Sequence, residues 1–212
     1  FVNRYYPSSG KIVELLRERT PRHALVQLLY SGTPVRYWTS RYELCGGSFV
    51  ENTVHMVDLL RYFLGDIAAV SAFYVERQPG EGPEPMNMPH VYNVNYRFAA
   101  GPTANCTTSR VLTNTPAGRR EVLVVSDDSL IEWSAHKIVE NGATIWEDPD
   151  RTNAFSAQAR AFVAAVQAGD PGRVKSSYTD ALNSLAAVLG ANTSAERDGQ
   201  LLSLDDLVAG KI

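Results

Sequence analysis

The sequence predicts an α+β fold: an open, mostly antiparallel sheet covered on one face by helices. Three observations lead there. Helical patterns lie at both ends of the chain and strand patterns are grouped between them, the order of a sheet with segregated helices. Tyr92, Val94, Tyr96 and Phe98 alternate with Asn93, Asn95 and Arg97, which is half-buried strand patterning. No Gly-x-Gly-x-x-Gly turn joins a strand to a helix, so no segment reads as a dinucleotide-binding unit. The 212 residues are read as a single unit.

The elements follow in order. The opening Phe1-Val2-Asn3-Arg4-Tyr5-Tyr6-Pro7 lacks an initiator Met and reads as a strand already in progress, so a longer protein that begins upstream is expected. Ser8 or Ser9 caps a short helix that ends near Glu18, with Ile12, Leu15 and Leu16 on one face. Residues 23–30 form a strand, Ser31-Gly32 a turn, and residues 33–45 an irregular stretch holding Tyr37, Trp38, Arg41 and Tyr42. A long helix runs from Ser48 to Leu64 and stops at Gly65. A strand over 69–76 precedes a Pro- and Gly-rich loop over 78–90. Strands then cover 92–98, 104–112, 121–126, 130–133 and 137–140. Residues 153–168 are helical, Ser176 or Ser177 caps a last long helix, and Leu204 to Val208 form a final helical turn.

Composition narrows the function. An apolar fraction of 44% and a charged fraction of 20% are ordinary for a globular protein. The net charge of −3, without a Lys/Arg block, argues against nucleic acid as a partner. No apolar run approaches the roughly 18 residues of a membrane span, and no signal peptide is evident. Cys45 and Cys106 lack metal-type spacing, and the expectation is free thiols in the cytoplasm. His23, His55, His90 and His136 lie far apart, so no metal site is expected.

Chemistry concentrates on the long helix. At about 100° per residue, with Val50 as origin, Asp58, Glu51, Tyr62 and His55 fall at roughly 80°, 100°, 120° and 140°. The rest of the circumference is apolar, which marks a buried helix whose titratable stripe needs partners or a cleft. A histidine with Glu51 at i−4 and Asp58 at i+3 can act as an acid/base, one carboxylate orienting the ring. The plain alternative is a satisfied core histidine with a capping carboxylate. Tyr37, Trp38 and Arg41 just before the helix can line a pocket against sugar C–H faces, or simply pack a loop.

The run Gly46-Gly47, Glu51, His55, Asp58, Leu59-Leu60 and Gly65 resembles the C-terminal domain of the glucose–fructose oxidoreductase/inositol dehydrogenase (Gfo/Idh/MocA) family. Phe98 with Gly101, the Phe162 to Asp170 segment, and Ser194 to Leu207 extend the resemblance over nearly the whole chain, as does Val2 to Pro7, taken as a crossover strand. Two positions depart: the commonest motif has Asp at Glu51 and often Gly at Thr53. The resemblance implies the substrate-binding and oligomerisation part of an NAD(P)-dependent oxidoreductase acting on a sugar, inositol or related polyol. It implies His55 and Glu51 as catalytic residues, and Asp58, Trp38, Tyr37 and Arg41 as substrate-binding residues. It also implies a Rossmann domain and its lysine outside this chain, NAD or NADP bound by the longer protein and not by this piece, and dimers or tetramers through the sheet face. A non-catalytic module for self-association or ligand binding, and a hydrolase or lyase on the same fold, are the rival readings.

Overall fold

A computed structural model describes residues 1–31, 37–112 and 115–211. The first segment differs from expectation: Val2–Tyr5 is a 3-10 turn rather than a strand. Pro7 opens helix α1 (Pro7–Leu16) at a position where its missing N–H costs nothing. Ser9 donates through its hydroxyl to the Asn3 carbonyl at 2.7 Å, which ties the turn to the helix. Both serines expected as caps therefore sit inside α1 and are buried.

Strand β1 (Pro21–Leu29) has the alternating burial of a half-covered strand. Tyr37, Trp38 and Arg41 follow residues 32–36, which lie outside the described residues, and a short helix α2 (Tyr42–Cys45) occupies what was read as irregular. The long helix is present but not uniform: Phe49–Thr53 is a wide π-turn that leads into α3 (Val54–Leu64). Gly65, with φ of 88°, closes it. The meander is β2 (Ile67–Val75), β3 (Val91–Phe98), β4 (Thr103–Ser109), β5 (Arg119–Ser126), β6 (Ser129–Ser134), β7 (Lys137–Glu140) and β8 (Ala143–Glu147). The last of these, β8, was not expected, because its residues lack an alternating apolar face. Its signal was the Asn141-Gly142 turn, whose two residues both have positive φ. Helices α4 (Ala154–Ala168) and α5 (Tyr178–Glu196) start where Asn153 and Ser177 accept the N–H of Ser156 and Asp180. The two-residue strand β9 (Leu202–Ser203) and helix α6 (Leu204–Val208) end the fold.

These strands form one sheet in the order β8-β7-β6-β5-β1-β4-β3-β2-β9. Every pairing is antiparallel except β1 with β4, so β1 joins two antiparallel blocks at the centre. Helices α1, α3 and α5 cover one face, burying Ile12, Val57, Leu60 and Val188 against Val26, Val70, Tyr96 and Val124. The other face is polar where β3 meets β4. There the Asn105 amide donates to Asn93 and Asn95 at 3.0 and 2.9 Å, and the Thr107 hydroxyl donates to Asn105. No helix among the described residues is long and apolar enough to cross a membrane.

Candidate active site

The seam where the Val2–Tyr5 turn, α3 and the start of α5 meet is held by charge. Arg4 grips Asp58 with a fork, Nη2 to Oδ1 at 2.6 Å and Nε to Oδ2 at 2.9 Å. The Ser184 hydroxyl donates to Oδ1 of Asp58 at 2.8 Å. Asp180 then bridges Arg4 at 2.9 Å and Arg61 at 3.0 Å. Burial pulls the Arg4 guanidinium down, but the hydrogen bond and charge of Asp58 more than offset it and hold the pKa above its ordinary value. This network fixes the 3-10 turn across the N-terminal part of α3.

Beside it opens a cavity of about 680 Å³, within the range of small-molecule sites. Asn52, His55 and Met56 form one wall, and Val2, Asn3 and Tyr6 another. The sheet contributes Tyr30 and Arg120. Phe155 and Gln158 of α4 and Ser176, Ser177 and Tyr178 at the start of α5 complete it. The Tyr30 hydroxyl donates to Oδ1 of Asn52, and the Arg110 guanidinium lies over the Tyr30 ring at 4.5 Å. Burial raises the Tyr30 phenol above its ordinary pKa, so it stays a donor.

His55 is the group with unspent capacity. Its Nδ1 is buried and has no hydrogen-bond partner. Its ring meets that of Phe1 edge-on at 5.8 Å, and its backbone carbonyl accepts from the Asn3 amide at 3.2 Å. Burial, with a smaller contribution from the positive charge of Arg120, lowers the imidazole pKa against the opposing field of Asp58. The ring is therefore neutral at pH 7 and able to take a proton.

The structure does not gather the other expected residues around that ring. Asp58 is fully buried and spends its oxygens on Arg4 and Ser184. Glu51 lies in the π-turn, where steps of 100° no longer apply, and it does not line the cavity. No hydrogen bond joins either carboxylate to the His55 ring. Tyr37 and Trp38 are exposed, at 72% and 53%, and Arg41 pairs with Glu43 at 2.7 Å; none of the three borders the cavity. Asn52 and Met56 line the cavity together with His55, and neither Glu51 nor Asp58 does. Asn52, Tyr30 and Arg120, far apart in sequence, were not among the expected site residues. The signal available was that Asn52 sits at i−3 from His55.

Residues 20–128, just over half of the chain, match the family model of the GFO/IDH/MocA C-terminal domain. The chain belongs to that family. Solved structures agree on the fold of this GFO/IDH/MocA domain. An oxidoreductase from Thermotoga maritima superposes with a TM-score of 0.80 at 21% identity, over 97% of this chain and 61% of that one. An aldose-aldose oxidoreductase from Caulobacter crescentus, in complex with glycerol, gives 0.78 at 18% identity over 96% and 62%. The WlbA dehydrogenase from Bordetella pertussis, in complex with NADH and UDP-GlcNAcA, gives 0.70 at 17% over 95% and 61%. The chain thus spans less than two thirds of the length of these structures. Among curated proteins, none matches this sequence.

Proposed function

We propose that the His55 cavity is the substrate side of the active site of an NAD(P)-dependent oxidoreductase acting on a sugar, inositol or related polyol. The observation that carries the proposal is that His55, whose ring makes no hydrogen bond among the described residues, lines a cavity that it shares with the amides of Asn3, Asn52 and Gln158 and the hydroxyls of Tyr30, Ser176 and Ser177. Family membership, and the glycerol and UDP-GlcNAcA held by two of the solved structures, support it.

The described residues include no glycine-rich strand-to-helix turn that would cradle a pyrophosphate. The chain's own residues therefore suit the substrate and not the nucleotide's phosphates, and a nucleotide-binding domain in the remainder of a longer protein is part of the proposal. When bound, a nicotinamide exchanges hydride with the substrate carbon. His55 handles the accompanying proton, accepting it from the hydroxyl as the carbonyl forms and returning it in the reverse direction. Asn52 and Tyr30 hold the hydroxyl-bearing ring in register with the imidazole. Asp58, through Arg4, keeps the 3-10 turn and its Asn3 seated on the His55 carbonyl, and so acts as a positioning residue. Glu51 contributes only a distant field. Self-association through the polar sheet face, and cytoplasmic residence of the two free thiols, belong to the same reading.

The test is His55→Gln in the protein with its nucleotide-binding half. A loss of about 10²–10⁴ in kcat, with unchanged far-UV dichroism and thermal midpoint, is expected. Activity within a few-fold of wild type would end the acid/base reading. Residues 1–212 alone should take up NAD(P) weakly and show no turnover, and tight stoichiometric uptake would contradict the division of labour.

A further inference from the structure

The sheet wall of the cavity carries a guanidinium, that of Arg120, with no ion pair among the described residues. Arg120 stands second in β5, and alternation along that strand puts it on the face of Val122 and Val124, which the helices cover. It pairs across the sheet with Leu28, two residues before Tyr30, so Arg120 and Tyr30 rise on the same side. Arg120 is exposed at the end of its strand, and it shares the lack of a carboxylate partner with Arg97, Arg151 and Arg160, but it alone of these four lines the cavity, whereas the buried Arg4 and Arg61 are bound by Asp58 and Asp66. Among the described residues Arg120 makes no ion pair and no hydrogen bond.

The surroundings reinforce the charge. No carboxylate lines the cavity. Of the nearby acids, Asp58 is bound by Arg4 and Asp180 by Arg4 and Arg61, while Glu51 acts on Tyr30 from outside the cavity lining. Helix α5 begins at Tyr178, and Ser176, its N-cap Ser177 and Tyr178 line this wall, with Asp180 in the first turn. The neutral remainder, Asn52, Gln158 and the two serines, suits hydroxyls rather than a second charge.

We infer that the molecule taken up here bears an anionic group, a carboxylate or a phosphate on a sugar or polyol frame, and that Arg120 binds it while His55 faces a hydroxyl-bearing carbon. The inference rests on the function proposed above and narrows it from polyols at large to sugar acids or sugar phosphates. Arg120 sits at the cavity's edge, so a substitution there leaves the core intact. A fork of charge-assisted bonds to an oxyanion corresponds to about 10- to 100-fold in affinity.

The experiment is calorimetric titration of the wild-type protein and Arg120→Gln with D-gluconate, D-glucose 6-phosphate and D-glucose, with NADH as a fourth titrant. At least one anionic sugar should bind the wild type 10- to 100-fold more tightly than glucose, and the gap should close in R120Q. The gluconate and phosphate arms tell the two anions apart. Arg120→Lys should retain part of the preference, since it keeps the charge and loses the planar fork. Equal binding of all three sugars, or a gap that survives in R120Q, overturns the assignment and leaves the polyol reading standing. A variant that weakens only NADH overturns it too, because the guanidinium then serves the nucleotide. If none of the three sugars binds the wild type, this inference and the proposed substrate class fall together. The acid/base reading is judged separately, by turnover of His55→Gln.

Discussion

Replacing Asp58 by alanine removes one acceptor that serves three donors. Arg4 loses bonds of 2.6 and 2.9 Å and Ser184 one of 2.8 Å, all inside a site where the Asp58 side chain is wholly buried. Breaking a buried pair by deleting one partner costs about 3–5 kcal/mol, because the remaining charge is left uncompensated. Arg4 keeps Asp180 at 2.9 Å and the Lys175 carbonyl at 2.7 Å, so the cost should fall at the lower end, about 3 kcal/mol. For a chain of this size that is a drop of roughly 6–12 °C in Tm. Urea unfolding followed by tryptophan fluorescence should show a lower midpoint with an unchanged slope. Asp58→Asn, which keeps an acceptor but no charge, should lose less. A cost below about 1 kcal/mol would refute the view that this pair holds the seam together. Normal stability with weakened sugar binding would return Asp58 to the ligand, as the helical stripe implied.

Acid should weaken this protein partly through His55. Its imidazole pKa is depressed in the fold, so below the ordinary value of about 6.5 the unfolded chain binds the extra proton more readily. Stability therefore falls as pH drops from about 6.5 toward the folded value, and His55→Gln should flatten that part of a pH–stability curve. Gly47→Ala should cost about 1–3 kcal/mol. Its φ is 88°, and a Cβ there would lie 2.7 Å from the Tyr92 hydroxyl that accepts the Ser48 N–H. Gly10→Ala, inside α1 with open space around it, should instead stabilise by about 0.5–1 kcal/mol, and thermal unfolding compares the two. Trp38→Ala should change stability by no more than about 0.5 kcal/mol and leave sugar affinity unchanged in the titrations above; weaker sugar binding would bring that loop into the site.

Much of this fold follows from local chemistry. Alternation is a property of a few consecutive residues, so Tyr92 to Phe98 were readable as a strand, and all four apolar members of that run are buried. Asn153 and Ser177 cap their helices with bonds that span three residues, and Gly65 and Gly169 close theirs with positive φ. The family motif around His55 was equally legible, because it occupies one continuous stretch.

What the sequence could not decide was non-local. The parallel seam of β1 with β4 pairs residues about eighty apart, and no short-range pattern distinguishes it from another antiparallel pairing. The helical stripe placed two carboxylates beside His55, but a wide turn at Phe49–Thr53 broke the period, and Arg4, 54 residues from Asp58, claimed the second. Arg120 lay outside the strand expected over 121–126, and only the sheet brings it to the same cavity as Asn52 and Ser177. By itself the sequence determined most of the helices and strands and the family motif around His55, because torsion, capping and periodicity act within a few residues. Only the tertiary structure decided which charges are neutralised and which are left for a ligand, because a buried charge is settled by whatever distant group packs against it.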